Sequence, residues 1–82
     1  MSYEKVVQAA EIVVGTKQTL KALEDKQVKE LIVAEDADPR VLQKVITLAD
    51  RHEVPTIKVD SMKKLGKACG IDVSAATVAI KK

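Results

Sequence analysis

Tryptophan and phenylalanine are missing from this 82-residue chain, and its one aromatic side chain is Tyr3. That excludes the modules that read single strands by stacking bases on a row of aromatics. Cysteine occurs once, as Cys69, so no internal disulfide can form, and no Cys/His cluster is spaced for a metal. A reducing, cytoplasmic setting is the expectation. Glycine is scarce at three residues and proline at two; they stand singly at element ends, so there is neither a linker nor a low-complexity tract. No run approaches the roughly 20 apolar residues of a membrane span, and the opening residues lack the basic-then-apolar layout of a secretory signal. A surplus of one charge is lacking as well. Fourteen Lys and Arg against twelve Asp and Glu leave +2, so any argument for a nucleic-acid partner must come from how the cations are distributed.

What is present is an apolar pattern broken at regular intervals. Residues 1–82 suffice for one small domain with a core of a few packed layers and no deep cavity. Ser2 is placed to cap a first helix with Val6, Val7, Ala10, Val13 and Val14 inward, although the β-branched Ile12-Val13-Val14 before Gly15 fits a short edge strand equally. A second helix is predicted from Thr16 to Asp25 with Leu20 and Leu23 inward. Leu31-Ile32-Val33-Ala34 has no alternation, which predicts a central strand buried on both faces. Asp38-Pro39 starts a helix, aspartate capping the free amides and proline taking the first helical position. Val41, Leu42, Val45, Ile46, Leu48 and Ala49 form its inner face. After Val54-Pro55, Thr56-Ile57-Lys58-Val59 reads as a strand, completing a βαβ unit and hence a partly parallel sheet. Asp60 or Ser61 caps a last helix that runs through about Cys69 and closes at Gly70. Thr77-Val78-Ala79-Ile80 alternates as a final strand. The expected fold class is α/β, a three-layer α/β/α sandwich around a four-stranded mixed sheet.

Two lysine groups stand at helix starts. The first turn after Gly15 carries Lys17, then Lys21, and no carboxylate before Glu24, although a helix N-terminus is itself cation-like and favours acids by about 0.3 to 1 kcal/mol per charge. Such a start fits an external anion, for instance a phosphate; it also fits a solvated turn. Lys63, Lys64 and Lys67 sit at spacings of three and four, so one basic stripe forms on the last helix, as an ordinary wet face or as phosphate contacts. If both starts share one sheet edge, the two groups merge into one electropositive surface.

Glu35, Asp36 and Asp38 follow the central strand, where paired carboxylates could hold a divalent cation or act as acid and base. Asp38 is already used as a cap, however, and no His, Cys, phosphate loop or nucleophile motif accompanies the group. No enzyme activity, metal or cofactor is expected. His52 reads as a helix-end cap and Cys69 as a small core residue. In Gly70-Ile71-Asp72-Val73-Ser74-Ala75-Ala76, Ile71 and Val73 either plug the sheet edge or form an apolar platform for an unstacked base.

Taken in order, Gly15-Thr16-Lys17-Gln18-Thr19-Leu20-Lys21, Leu31-Ile32-Val33-Ala34-Glu35-Asp36-Ala37-Asp38-Pro39, Val54-Pro55 and Leu65-Gly66-Lys67-Ala68-Cys69-Gly70 resemble the ribosomal protein L7Ae/L30e superfamily. Within it, the chain looks closest to the short bacterial members of the YbxF type. The resemblance implies binding to kink-turn RNA, a sharply bent internal loop with tandem sheared G·A pairs, in ribosomal, riboswitch or other non-coding RNA and so in a ribonucleoprotein. In that family the start of the second helix enters the kinked major groove and a nearby apolar loop holds an extruded nucleotide. Carried onto this sequence, the helix positions are Gly15, Thr16, Lys17, Gln18 and Lys21, and the loop positions are Ile71, Asp72, Val73 and Ser74. Archaeal and eukaryotic members commonly have Asn-Glu where this chain has Lys17-Gln18. Gln18 brings both a donor and an acceptor to a guanine edge, where a glutamate would only accept. The competing reading is a protein-binding adaptor of the same superfamily. No DNA or membrane partner is expected, and a monomer is, since no element looks apolar on its outward face.

Overall fold

Leu31 to Ala34 are apolar on both sides of the backbone, and the fold covers both. In the computed structural model, which describes residues 3–9 and 11–82, the elements are α1 (Tyr3–Gln8), β1 (Ile12–Val14), α2 (Thr16–Glu24), β2 (Val28–Ala34), α3 (Pro39–Arg51), β3 (Thr56–Val59), α4 (Met62–Ala68) and β4 (Thr77–Lys81). The strands form one sheet in the order β1-β4-β2-β3. β2 and β3 run parallel, Leu31 opposite Thr56 and Ala34 opposite Val59. β4 is antiparallel to both its neighbours, with Val14 opposite Val78 in β1 and Val33 opposite Thr77 in β2. The fold is thus an α/β/α sandwich around a mixed sheet.

Successive strand residues face opposite layers. Ile32, Ala34, Val78 and Ile80 pack with Val6 of α1 and Leu65 of α4. Leu31, Val33 and Ala79 pack with Leu23 of α2 and Val45 and Ala49 of α3. Leu23, Leu31, Ile32, Val33, Val45, Leu65 and Val78 are fully buried, each such side chain contributing about 1.5 to 3 kcal/mol relative to exposure.

Several sequence expectations change in detail. Ile12-Val13-Val14 is the edge strand, not the end of a helix, because an open edge of β4 is available to it. With α1 reduced to six residues, Val6 reaches the core while Val7, a further 100° or so around the helix, is 67% exposed. The expected Ser2 cap and the inward Ala10 lie outside the described residues. β2 begins earlier, at Val28. β4 does not alternate between core and solvent; Thr77, Val78, Ala79 and Ile80 are all buried, because it lies between β1 and β2 rather than at an edge.

Helix ends are handled alike. After α2, α3 and α4, the amides of Gln27, Val54 and Ile71 reach back to the carbonyls of Ala22, Ala49 and Gly66 at 3.0, 2.8 and 3.1 Å. Each is a Schellman turn. The left-handed residue in each is Lys26 (φ 57), Glu53 (φ 58) and Gly70 (φ 77).

Candidate nucleic-acid interface

β1, β2 and β3 all finish at the sheet end where β4 begins. The first residues of α2, α3 and α4 therefore gather at that one edge, together with the loop that enters β4. Two of the sequence-predicted groups are neighbours there. The Gly15 amide donates to the Thr77 carbonyl at 3.0 Å, which joins the start of α2 to the segment that follows Ile71–Ser74.

The start of α2 is left open by its sequence. Gly15 occupies the N-cap position at φ 103, ψ 149, and no side chain caps the helix. A residue with a Cβ strains at that φ, and a Cβ built there would lie 2.9 Å from Gln18 Oε1. The Gln18 side chain therefore leans back over Gly15. Thr16 is half-buried, while Lys17, Gln18 and Lys21 are exposed. The first turn holds no acid, so unpaired amides, the positive end of the helix and the Lys17 ammonium face the same solvent.

The loop of Ile71–Ser74 is held by a close backbone approach. A Cβ on Gly66 would lie 2.0 Å from the Val73 carbonyl oxygen and 3.1 Å from the Ser74 Cα, so only a glycine lets the loop rest on α4. The Ile71 and Val73 side chains then diverge. Ile71 is half-buried and packs on the Leu65 cluster, whereas Val73 is 68% exposed. Of the two readings made from the sequence, Ile71 takes the plug and Val73 the projecting apolar surface. Asp72 and Ser74 are exposed beside it. The loop returns to α4 where the Ala75 amide donates to the Met62 carbonyl at 3.0 Å.

Lys63, Lys64 and Lys67 are all exposed on α4, which starts at the same edge as α2 but packs on the opposite face of the sheet. β2, which lies between β4 and β3, delivers Glu35, Asp36 and Asp38 to the same edge. Lys64 is also drawn to Asp60, Nζ to Oδ2 being 3.4 Å. These carboxylates do structural work. Asp38 Oδ1 accepts the Arg40 amide and Asp36 Oδ1 the Met62 amide, each at 2.9 Å, so Asp36 caps α4 from another loop, alongside Ser61 Oγ on the Lys64 amide at 3.2 Å. Among the described residues no cluster of three His, Cys, Asp or Glu is arranged to hold a metal.

Tyr3 anchors α1 to this edge. Its hydroxyl donates to the Asp60 carboxylate and accepts the Ser61 amide at 3.2 Å. Partial desolvation, then the adjoining Asp60 carboxylate, raise the Tyr3 phenol above its ordinary 10.0. Hydrogen bonds from Tyr3 and from the Asp60 amide lower the Asp60 carboxyl below its ordinary 3.8. Cys69 is a half-buried helix cap whose thiol burial pushes up, the opposite of an activated nucleophile. His52 caps α3 at its C-terminus.

Sequence reasoning missed Gly66 as a positioning residue and Asp36 as a cap. Gly66 carried a signal, being an isolated glycine inside a helical pattern, which often marks close packing. Asp36 carried none, since its partner is 26 residues away.

A family model described as "Ribosomal protein L7Ae/L30e/S12e/Gadd45 family" matches residues 2–82. The chain is 66% identical over 82 residues, all of both chains, to the RNA-binding protein BH0128 of Halalkalibacterium halodurans. To the RNA-binding protein YbxF of Geobacillus stearothermophilus it is 61% identical over 80 residues, 98% of each chain. The fold is similar to the Giardia lamblia 15.5kD RNA binding protein, with a TM-score of 0.84 and 26% identity over 98% of this chain and 68% of that one.

Proposed function

The chain belongs to the ribosomal protein L7Ae/L30e/S12e/Gadd45 family, and from that premise we propose that it is a non-catalytic RNA-binding protein that recognises kink-turns. Relatives at 66% and 61% identity bear the name RNA-binding protein, which supports the RNA partner. The observation that carries the finer reading is the placement, on one edge, of the uncapped start of α2 beside the loop seated on Gly66.

The parts suit a sharply bent duplex. Gln18 offers a donor and an acceptor to the exposed edges of sheared G·A pairs, and Lys17 reaches a guanine acceptor or a phosphate. The free amides of α2 and the Lys21 ammonium meet the phosphates that a kink forces together. Val73 supplies an apolar surface for a base expelled from the stack. Lys63 and Lys67, both exposed on α4, add phosphate contacts. Shape selects the RNA and the helix end confirms it. A cytoplasmic ribonucleoprotein, ribosomal or riboswitch in nature, is the setting that fits such a partner.

The test is a titration against a kink-turn hairpin and against the same hairpin with its two G·A pairs changed to Watson-Crick pairs, at physiological salt and magnesium. Selective binding is expected, and Lys17→Ala should weaken it and lower the salt slope by about 1. Equal or absent binding to both hairpins would overturn the reading and bring a protein-adaptor role forward.

A further inference from the structure

α3 presents a second basic feature where it lies beside α2. Arg40, Lys44, Thr47 and Arg51 recur at intervals of four, three and four, so they form one stripe along the helix, and all four are exposed. The stripe borders a groove along the seam between α2 and α3. The groove opens at Thr16, Lys17, Leu20, Arg40 and Lys44, a hollow of about 400 Å³, and continues past Thr47 and Leu48 to Arg51. From Arg40 to Arg51 it is about 16 Å long at 1.5 Å per residue.

The charge on this groove is unusually one-sided. Among the described residues Lys17, Lys44 and Arg51 make no ion pair, and Arg40, 94% exposed, has only Asp38 at 3.8 Å. Glu24 is the one carboxylate among the residues lining it. Leu20, Val41 and Leu48 form a half-buried floor. Among the described residues the exposed large hydrophobics are Val7 and Val73, both elsewhere, so the seam lacks the projecting apolar anchor on which a docked protein helix depends. A row of fixed cations without such an anchor suits a polyanion.

Lys17 belongs both to this row and to the edge described above. We infer that the seam between α2 and α3 is a phosphate track that carries the backbone of the RNA stem leaving the kink, with Arg40, Lys44 and Arg51 as its contacts. This inference rests on the kink-turn reading and adds a second, sequence-independent contact to it.

Three kink-turn hairpins with an identical kink test it, one with short stems and two in which one or the other stem is extended by a helical turn. The Watson-Crick version of the kink serves as control, and the proteins are the wild type and the triple variant Arg40→Ala, Lys44→Ala, Arg51→Ala. The wild type is expected to bind one extended hairpin more tightly, with a salt slope steeper by about 2 to 3 than on the short one. The triple variant is expected to lose that excess while keeping its short-stem affinity and its discrimination against the control. Equal wild-type affinity and slope on short and extended stems would overturn the track, as would an equal loss on short and extended RNAs in the variant. If the track fails in this way and an acidic peptide binds the wild type but not the variant, the seam belongs to a protein instead. Failure of the kink-turn reading itself shows separately, as wild-type binding that ignores the control.

Discussion

At the end of the sheet where β2 and β3 finish, glycine stands where the backbone requires it. Gly15 holds a φ of 103 and Gly66 receives another loop's carbonyl where its Cβ would be. At the opposite end, where α2 and α3 finish, Lys26 and Glu53 hold the left-handed conformation that glycine adopts without strain. The far end is closed by backbone hydrogen bonds, whereas the start of α2 has no side-chain cap. The two ends also differ in what a side chain would meet. Lys26 and Glu53 point into solvent, so each non-glycine residue costs about 1 kcal/mol and no more. Gly66 meets backbone, and nothing there can yield cheaply. Gly70, which closes α4 at φ 77 with open space where its Cβ would be, serves a helix end alone, whereas Gly15 and Gly66 serve the fit of the candidate interface.

Reversing that pattern gives graded effects. The largest belongs to Gly66→Ala, which forces the Val73 carbonyl off α4. Urea denaturation is expected to show a loss of about 2 to 3 kcal/mol, and amide resonances of residues 71 to 74 should move most; a shift confined to α4 would mean that the loop is held by something else. Gly15→Ala is milder, since Gln18 can swing aside and the backbone strain remains, at about 1 to 2 kcal/mol. In the other direction, Lys26→Gly and Glu53→Gly are each expected to raise stability by about 0.5 to 1 kcal/mol.

The smallest effect is electrostatic and sits where the edge meets α1. Asp60 titrates below its ordinary 3.8, so its share of stability is present above that value and fades as pH falls through the depressed one. Tyr3 titrates above 10.0, so its share is complete below that value and fades as pH rises through the elevated one. Melting temperature against pH should accordingly fall at both extremes, and Tyr3→Phe should flatten both limbs. A variant with unchanged limbs would show that the pair contributes nothing to folding.

Much of the fold could be read from local rules. Asp38-Pro39, Ser61 and Gly70 mark helix ends because caps act within a few residues of themselves, and Leu31 to Ala34 mark a doubly covered strand because their apolarity has no period. β4 misled by resembling an alternating strand: Thr77 and Ala79 are small enough to look solvent-facing, and only the sheet order shows that they are covered. The candidate interface was legible as two separate segments, Gly15 to Lys21 and Ile71 to Ser74. What joins them was not, since the Gly15–Thr77 bond and the Gly66–Val73 contact bring together residues whose local sequence carries no trace of the partner. The cationic stripe of α3 escaped for another reason. Its residues alternate with core positions along an ordinary amphipathic helix, and its isolation from acids appears only when α2 is laid beside it.

The position of β4 has a bearing on how the molecule comes into being. A chain growing from its N-terminus completes β1, α2, β2, α3 and β3 while the slot between β1 and β2 is still empty. β1 has no sheet neighbour until the last strand enters that slot, and the Gly15 amide has no carbonyl to meet until Thr77 arrives. Pairing segments so distant along the chain is a slow step, and here it comes after the other described elements have been made. The edge that gathers the helix starts thus acquires its shape only when β4 is in place, and whatever it recognises must await that strand.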